Sequence, residues 1–336
     1  FDLKGGDWRQ ERVLPAFSAT DFRISGGSFL RALSGDGTSS EKAYKITDIY
    51  GLQGMGSDAG MRDKYYSLSN NIDASGTSGW NGGAGFKSIG NSTDKFTGSF
   101  DGGGHSISDL AINRSSVSYV GLFGYTKGAA ISNVGLLNVN VAGDYFVGGL
   151  VGYNVSGTIK NSYASGSVTG DNRVGGLVGW NQGTVENSYA SISVNGQGTV
   201  GGLVGYNITN STVKNSYASG RVEGESNVGG LVGANNGTVE NSYASGSVTG
   251  DYYVGGLVGR NFSTVTSSYW DRSATGTNQP NGVGDQDNND TQYKGLDSDG
   301  MKNAANFKDW DMTTIWYLNA GQAAPKLRCF GVPTPP

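Results

Sequence analysis

Short apolar–polar alternations, each too brief for a helix, recur through the middle of this chain at a nearly constant interval. The hexapeptide Val-Gly-Gly-Leu-Val-Gly begins at Val147, Val174, Val200, Val228 and Val254, and a variant, Val-Gly-Leu-Phe-Gly, begins at Val120. The steps between them are 27, 27, 26, 28 and 26 residues. A second unit, Asn-Ser-Tyr-Ala, begins at Asn161, Asn187, Asn215 and Asn241 and degenerates to Ser-Ser-Tyr-Trp at Ser267. A third alternating run follows it, as in Gly166-Ser-Val168-Thr and Ile192-Ser-Val194. Each period therefore holds three β-type runs. The separators, such as Tyr153-Asn154, Gly170-Asp171 and Asn235-Asn236-Gly237, are residues that accept left-handed backbone angles or cap their own turns. Glycine inside every run disfavours a helix by ~1 kcal/mol each.

Three strands in each period of about 27 residues predict an all-β fold, a right-handed single-stranded parallel β-helix with capped ends. In that register Leu122, Leu150, Leu177, Leu203, Leu231 and Leu257 stack inside. Tyr163, Tyr189, Tyr217, Tyr243 and Tyr269 are expected inside as well, as an aromatic ladder, with coils ~4.8 Å apart. Asn161, Asn187, Asn215 and Asn241 are expected to bond amide to amide. The glycines flanking each Leu imply either a bend too tight for a Cβ or a backbone at positive φ. A lone coil buries too little to be stable, so neighbours are obligatory and the ends need covers. The pattern divides the chain into irregular N-terminal coils (1–119), the regular repeat (120–270), a polar loop or insertion (271–300), and a C-terminal cap and linker (301–336). The last is expected to begin with a short helix at Met301 and to lay Trp310 and Trp316 over the final open coil.

Composition narrows the class. Glycine is 58 of 336 residues but proline only 6, which excludes collagen. Charged residues are 15%, so Ser, Thr and Asn must dress much of the surface. A net charge of −4 argues against nucleic acid or an anionic membrane as the main partner. Cys329 is the single cysteine, so no intrachain disulfide forms. No apolar stretch approaches the ~18 residues of a membrane span. The chain starts at Phe1 without a charged-then-apolar leader, as a processed product or an excised piece would.

Few residues offer chemistry. His105 is the single histidine, neither His-Glu-x-x-His nor Gly-x-Ser-x-Gly occurs, and a structural role is expected for it. Asp285, Asp287 and Asn289 space oxygen ligands like the start of a calcium loop, although Asp290 replaces the turn glycine and Leu296 stands where a bidentate Glu belongs. A solvated acidic loop is the alternative. Lys160, Glu186, Lys214 and Glu240 fall at one stacked position and alternate in sign, which neutralises a column rather than building a carboxylate cluster. The pairs Tyr145-Phe146 and Tyr252-Tyr253 align with Asn172-Arg173 and Gly198-Thr199, so the core does not require rings there. At least one ring of each pair should point outward, where it either covers the shaft edge or meets a sugar face or a protein. Asn-x-Ser/Thr sequences occur at Asn91, Asn113, Asn154, Asn207, Asn210, Asn236, Asn261 and Asn289.

The Val-Gly-Gly-Leu-Val-Gly runs resemble the GLUG motif of bacterial surface adhesins. The segment from Leu14 to Ser40, with Leu68-Ser-Asn-Asn-Ile-Asp-Ala-Ser-Gly and Phe100-Asp-Gly-Gly-Gly-His-Ser-Ile, is similar to filamentous-haemagglutinin-like exoproteins. Together these resemblances cover roughly Leu14 to Phe330. They imply a Gram-negative β-helical adhesin, exported by two-partner secretion through an outer-membrane transporter to the cell surface or beyond. The expected function is an extracellular adhesin module or shaft without a cofactor, attaching to a glycan or protein on a host, matrix or neighbouring cell. The GLUG motif also occurs in bacterial immunoglobulin-A peptidases, but one histidine cannot build their zinc centre. A polysaccharide-degrading β-helix enzyme and a spacer without a ligand are the competing readings.

Overall fold

The computed structural model describes residues 1–275, 281–284 and 293–331. It is a parallel β-solenoid of about 9 turns with a coil spacing of about 26 residues. Each regular coil contributes to three sheets. The first face is built from Tyr145–Gly148, Asn172–Gly175, Val200–Gly201, Ser226–Gly229 and Tyr252–Gly255. The second includes Val151–Lys160 and Val178–Glu186, and the third Tyr163–Thr169 and Tyr189–Asn195. Among the described residues these faces hold 5, 13 and 12 strands. Equivalent residues pair in parallel, as Val147 with Val174 and Val151 with Val178.

The corner between the first and second faces explains the glycines. The stacked leucines are fully buried there, and each backbone N–H bonds the leucine above, Leu150 to Leu177 at 3.0 Å and Leu203 to Leu231 at 2.9 Å. A Cβ at Gly176 would strike the carbonyl of Gly202 in the next coil. Gly149, Gly176, Gly202 and Gly230 have no positive φ, so close approach rather than backbone angle selects them.

The next corner explains Asn-Ser-Tyr-Ala residue by residue. Asn161, Asn187, Asn215 and Asn241 sit at φ of 48°, 49°, 47° and 48°, the left-handed region that Asn tolerates. Ser162, Ser188, Ser216 and Ser242 are buried. Each hydroxyl donates to the carbonyl two residues back and accepts a backbone N–H from the coil below, that of Val134 at Ser162 and that of the preceding serine elsewhere, as in Ser162 N–H to Ser188 Oγ at 3.1 Å. The tyrosine then points out and the alanine in. The tyrosines stack as expected, with Tyr163–Tyr189, Tyr189–Tyr217 and Tyr217–Tyr243 centroids 5.0, 4.7 and 4.9 Å apart, but the ladder lies outside the tube. Ala164, Ala190, Ala218 and Ala244 take the inward position, where in the regular coils each methyl group packs against a corner glycine, as Ala190 against Gly176.

The amide ladder also lies elsewhere. Among the described residues the Asn161 column carries one amide–amide bond, Asn161 Nδ2 to Asn133 Oδ1 at 3.0 Å. The continuous ladder runs inside the second face through Asn154, Asn181, Asn207, Asn235 and Asn261. Each Nδ2 donates to the Oδ1 above, at 2.9, 2.9, 2.9 and 2.8 Å. Thr126 Oγ1 supplies the lowest donor at 3.1 Å, and Asn261 Nδ2 ends the series on Ser263 O at 2.8 Å. These amides are buried among valines, so each depends on its neighbours to avoid an unpaired polar group.

The ends are closed by aromatics. Phe22, Phe29 and Trp80 pack with Phe1, Trp8, Phe17 and Tyr50 at the N-terminal end. Beside them Arg31, only 5% exposed, pairs with Asp48 at 2.6 Å. At the other end Trp270 replaces the inward alanine and lies beneath Gly282 and Gly295. Part of the predicted polar loop is therefore coil, since Tyr293–Leu296 pairs in parallel with Ser268–Asp271. A short helix does form, Ser298–Met301, but it ends at Met301 instead of starting there. The segment beyond it descends the flank over the tyrosine ladder: Phe307 and Trp310 on Tyr269, Trp316 between Tyr243 and Tyr217, Phe330 on Tyr189 and Tyr163.

The two asparagine columns should respond differently to substitution. Asn207→Ala strands buried partners on both sides and should cost about 2–4 kcal/mol in urea unfolding. Asn187→Gly keeps the left-handed corner and should change stability by less than about 1 kcal/mol. Equal losses at the two positions would refute the assignment.

Candidate functional site

The outward positions of the second face are not dictated by the core, and they carry a strip of rings and cations. Phe96 bridges to Thr126, which places Lys95 in register below Tyr125. Above Tyr125 the column continues through Tyr153, Trp180, Tyr206, Ala234 and Arg260. Tyr125 and Tyr153 centroids are 4.7 Å apart, and Trp180 meets Tyr206 edge-on at 4.8 Å.

A second column flanks it at the start of each first-face strand. Tyr119, Phe146, Arg173, Asn227 and Tyr253 have φ of 64°, 59°, 58°, 50° and 52°. This conformation costs a bulky side chain roughly 1–2 kcal/mol. Asn227 meets the same geometry with a residue suited to it, so the fold does not demand Tyr, Phe or Arg there. Their side chains lie against the second-face column instead. Tyr119 stacks on Phe146 at 4.9 Å, and Phe146 on Tyr153 at 5.5 Å. The Arg173 guanidinium lies over Phe146 and Trp180 at 5.1 and 4.8 Å, and Lys95 Nζ over Tyr125 at 5.5 Å. Arg260 is held over Tyr253 and Phe262 at 4.8 and 4.6 Å.

The two aromatic pairs singled out in the sequence fall on this strip, and each divides. Phe146 and Tyr253 are the left-handed members pressed to the second face. Tyr145 and Tyr252 stand out, 37% and 68% exposed, and Tyr253 itself stays 43% exposed beside Arg260. A hydrogen bond with Asp171 raises the pKa of the Tyr145 hydroxyl. Thr199, Asn227 and Ala234 form a ring-free gap between the two clusters. Tyr119, Tyr125, Tyr153, Trp180 and Tyr206 are not among the residues predicted from the sequence, although a variable position before each ladder asparagine marks three of them, Tyr153, Trp180 and Tyr206.

The remaining candidates form no centre. His105 is half-buried in the turn after Gly102. Asp285, Asp287 and Asn289 lie outside the described residues, and among those described no group of three or more His, Cys, Asp or Glu could hold a metal. Glu186 is flanked by Lys160 at 3.5 Å and Lys214 at 3.1 Å, so the alternating column does pair. Asn154, Asn207 and Asn261 belong to the internal ladder, which removes three of the Asn-x-Ser/Thr sites from the surface. A cleft of about 580 Å³ opens beside Cys329 and Phe330, lined also by Gly104, Asn133, Asn161 and Tyr163. Burial pushes the Cys329 thiol up to about 11.

The GLUG motif is matched four times, at residues 145–169, 170–195, 196–223 and 224–249. Halomucin from Haloquadratum walsbyi (strain DSM 16790 / HBSQ001) is 42% identical over 153 residues, 44% of this chain. The chain spans 2% of the length of that relative. A crystal structure from Bacteroides ovatus, provisionally assigned as an immunoglobulin A1 protease, superposes with a TM-score of 0.64 at 19% identity. The match covers 87% of this chain and 94% of that one, and it establishes the shared solenoid fold.

The flank makes stability fall in alkali. Burial pushes the Tyr189 hydroxyl up to about 12, and the more deeply buried Tyr217 and Tyr243 further. Unfolded tyrosines ionise near pH ~10, so above it the unfolded chain releases protons that the folded chain retains. Lys326, over the Tyr217 ring, shifts down by burial and acts oppositely, but its gain is complete near pH ~10.4. The melting temperature should drop progressively from pH ~10 to ~12, and less steeply in Tyr217→Phe. Identical alkaline slopes for the two proteins would contradict this.

Proposed function

We propose that this chain is an extracellular repeat module that binds its partner along the aromatic strip, with the solenoid acting as a stiff adhesin shaft. The observation that carries the reading is the placement of Tyr119, Phe146, Arg173 and Tyr253 at positive φ, where the fold asks only for Asn or Gly. Strain of this kind persists where side-chain placement matters more than stability. The partner is a glycan or a protein on a host, matrix or neighbouring cell. Rings with polar rims suit sugar faces and interface anchors alike. The GLUG repeats and the likeness to halomucin support a secreted or surface setting. Export by two-partner secretion through an outer-membrane transporter belongs to this reading, on the resemblance of Leu14 to Ser40 to filamentous-haemagglutinin-like exoproteins. The module binds and does not cleave.

A glycan array probed with the intact chain tests this. The wild-type chain should be retained on a defined subset of glycans, and Trp180→Ala should lose that retention while its circular dichroism stays unchanged. Retention identical in the variant would discard the strip as the binding surface. Incubation with uronate polymers should release no reducing ends, and turnover would restore the enzyme reading.

A further inference from the structure

Beside the ring column runs another outward column, two residues further along each coil, that the core also leaves free. From the lowest coil upward it holds Lys127, Val155, Gln182, Ile208, Asn236 and Phe262. Lys127 pairs with Val155 and Val155 with Gln182. Above them the backbone N–H of Ile208 bonds to Asn181 O, that of Asn236 to Asn207 O, and that of Phe262 to Asn235 O. Polar and apolar side chains therefore alternate strictly, with a period of two coils, ~9.6 Å at the ~4.8 Å separation of paired strands. Packing does not impose that period, because the inward position between the two outward columns is Asn in every coil from Asn154 to Asn261.

The polar members keep donors for a ligand. The Tyr153 hydroxyl lies 3.4 Å from Gln182 Oε1, and the Tyr206 hydroxyl 3.2 Å from Asn236 Oδ1. Each tyrosine thus donates to an amide oxygen and leaves the amide N–H groups free, since among the described residues neither amide nitrogen has a partner. Lys127 is exposed and adds a donor at the lowest level. Between these levels Val155 and Ile208 are half-buried, and Phe262 is 55% exposed.

A ligand matching this column advances one unit per coil and presents opposite edges in turn. A β-(1→4)-linked pyranose chain has that form. Successive sugars are flipped, so one side of the ribbon shows ring hydroxyls and hydroxymethyl edges alternately, and its disaccharide repeat is close to two coil separations. We infer that the strip takes a β-(1→4)-linked polysaccharide lying parallel to the solenoid axis. Alternate sugars accept hydrogen bonds from Lys127, Gln182 and Asn236, and the sugars between them turn their C5–C6 edges to Val155, Ile208 and Phe262. The rings of Tyr125, Tyr153, Trp180 and Tyr206 lie beneath the chain. This rests on the strip being the binding surface and specifies the ligand class.

Affinity electrophoresis separates linkage from sugar binding in general. Gels contain hydroxyethylcellulose or glycol chitin, both β-(1→4) chains, or dextran, an α-(1→6) chain. The wild-type chain should be retarded by at least one β-(1→4) polymer and not by dextran. The variant Q182V/N236I places at both polar levels residues that the column already uses, so its circular dichroism should be unchanged. It should bind the retarding polymer about tenfold more weakly. Equal retardation by dextran would overturn the β-(1→4) class and leave the strip as a sugar platform. Absence of retardation by both β-(1→4) polymers, or retardation unchanged in the variant, would overturn the inference, while the glycan array with Trp180→Ala judges the strip separately.

Discussion

The buried polar groups of the regular coils are satisfied largely by the coils above and below them. From Asn154 to Asn235 each interior asparagine amide is donor to the coil above and acceptor from the coil below, with Thr126 as the lowest donor and Asn261 as the highest acceptor. The corner serines do the same with backbone N–H groups. A buried amide without a partner costs more than the net gain from a single bond, so a slip of one coil out of register is penalised at every rung. Variation in coil length is absorbed away from these rungs. The coil from Val200 carries two extra residues, Thr209 and Asn210, and Ser211 Oγ closes that bulge onto Asn207 Oδ1 at 2.7 Å.

Because the interior is fixed, the exterior is free, and the molecule varies there. Five successive ladder asparagines follow Tyr, Trp, Tyr, Ala and Arg at one outward register position. The neighbouring corner holds Phe146, Arg173, Asn227 and Tyr253 in the left-handed conformation, with Thr199 the exception. A shaft with a uniform core can thus display a changing sequence of rings and charges at strand-pairing intervals. The tyrosine flank shows the complementary use of an outer column, since there the chain covers it with its own C-terminal segment.

The repeat makes the coil, the leucine column and the stacking of tyrosines legible, because an exact interval forces like residues to coincide. It does not tell inside from outside. Alternation at period two sends neighbouring residues to opposite faces, and in Tyr-Ala the larger ring looks like core although Ala190 takes the inward position against Gly176. Asn154 reads as a turn residue because Asn usually is one, and only the burial of five in register reveals a ladder. The packing of Trp310, Trp316 and Phe330 on the flank depends on contacts between distant parts of the chain, which no local pattern encodes. That one ring of each pair points outward is legible, because aligned coils place Asn172-Arg173 and Gly198-Thr199 there, but which ring does so is set by the left-handed backbone of Phe146 and Tyr253.

The internal ladder is tested most directly by hydrogen exchange of side-chain amides, followed by NMR. The Nδ2 protons of Asn154, Asn181, Asn207, Asn235 and Asn261 should exchange only as fast as coils unfold, whereas those of Asn187, Asn215 and Asn241 should exchange at rates of exposed amides. Rapid exchange from the first set would mean that no amide ladder locks the coils together, and the interdependence of neighbouring coils would lose its physical basis.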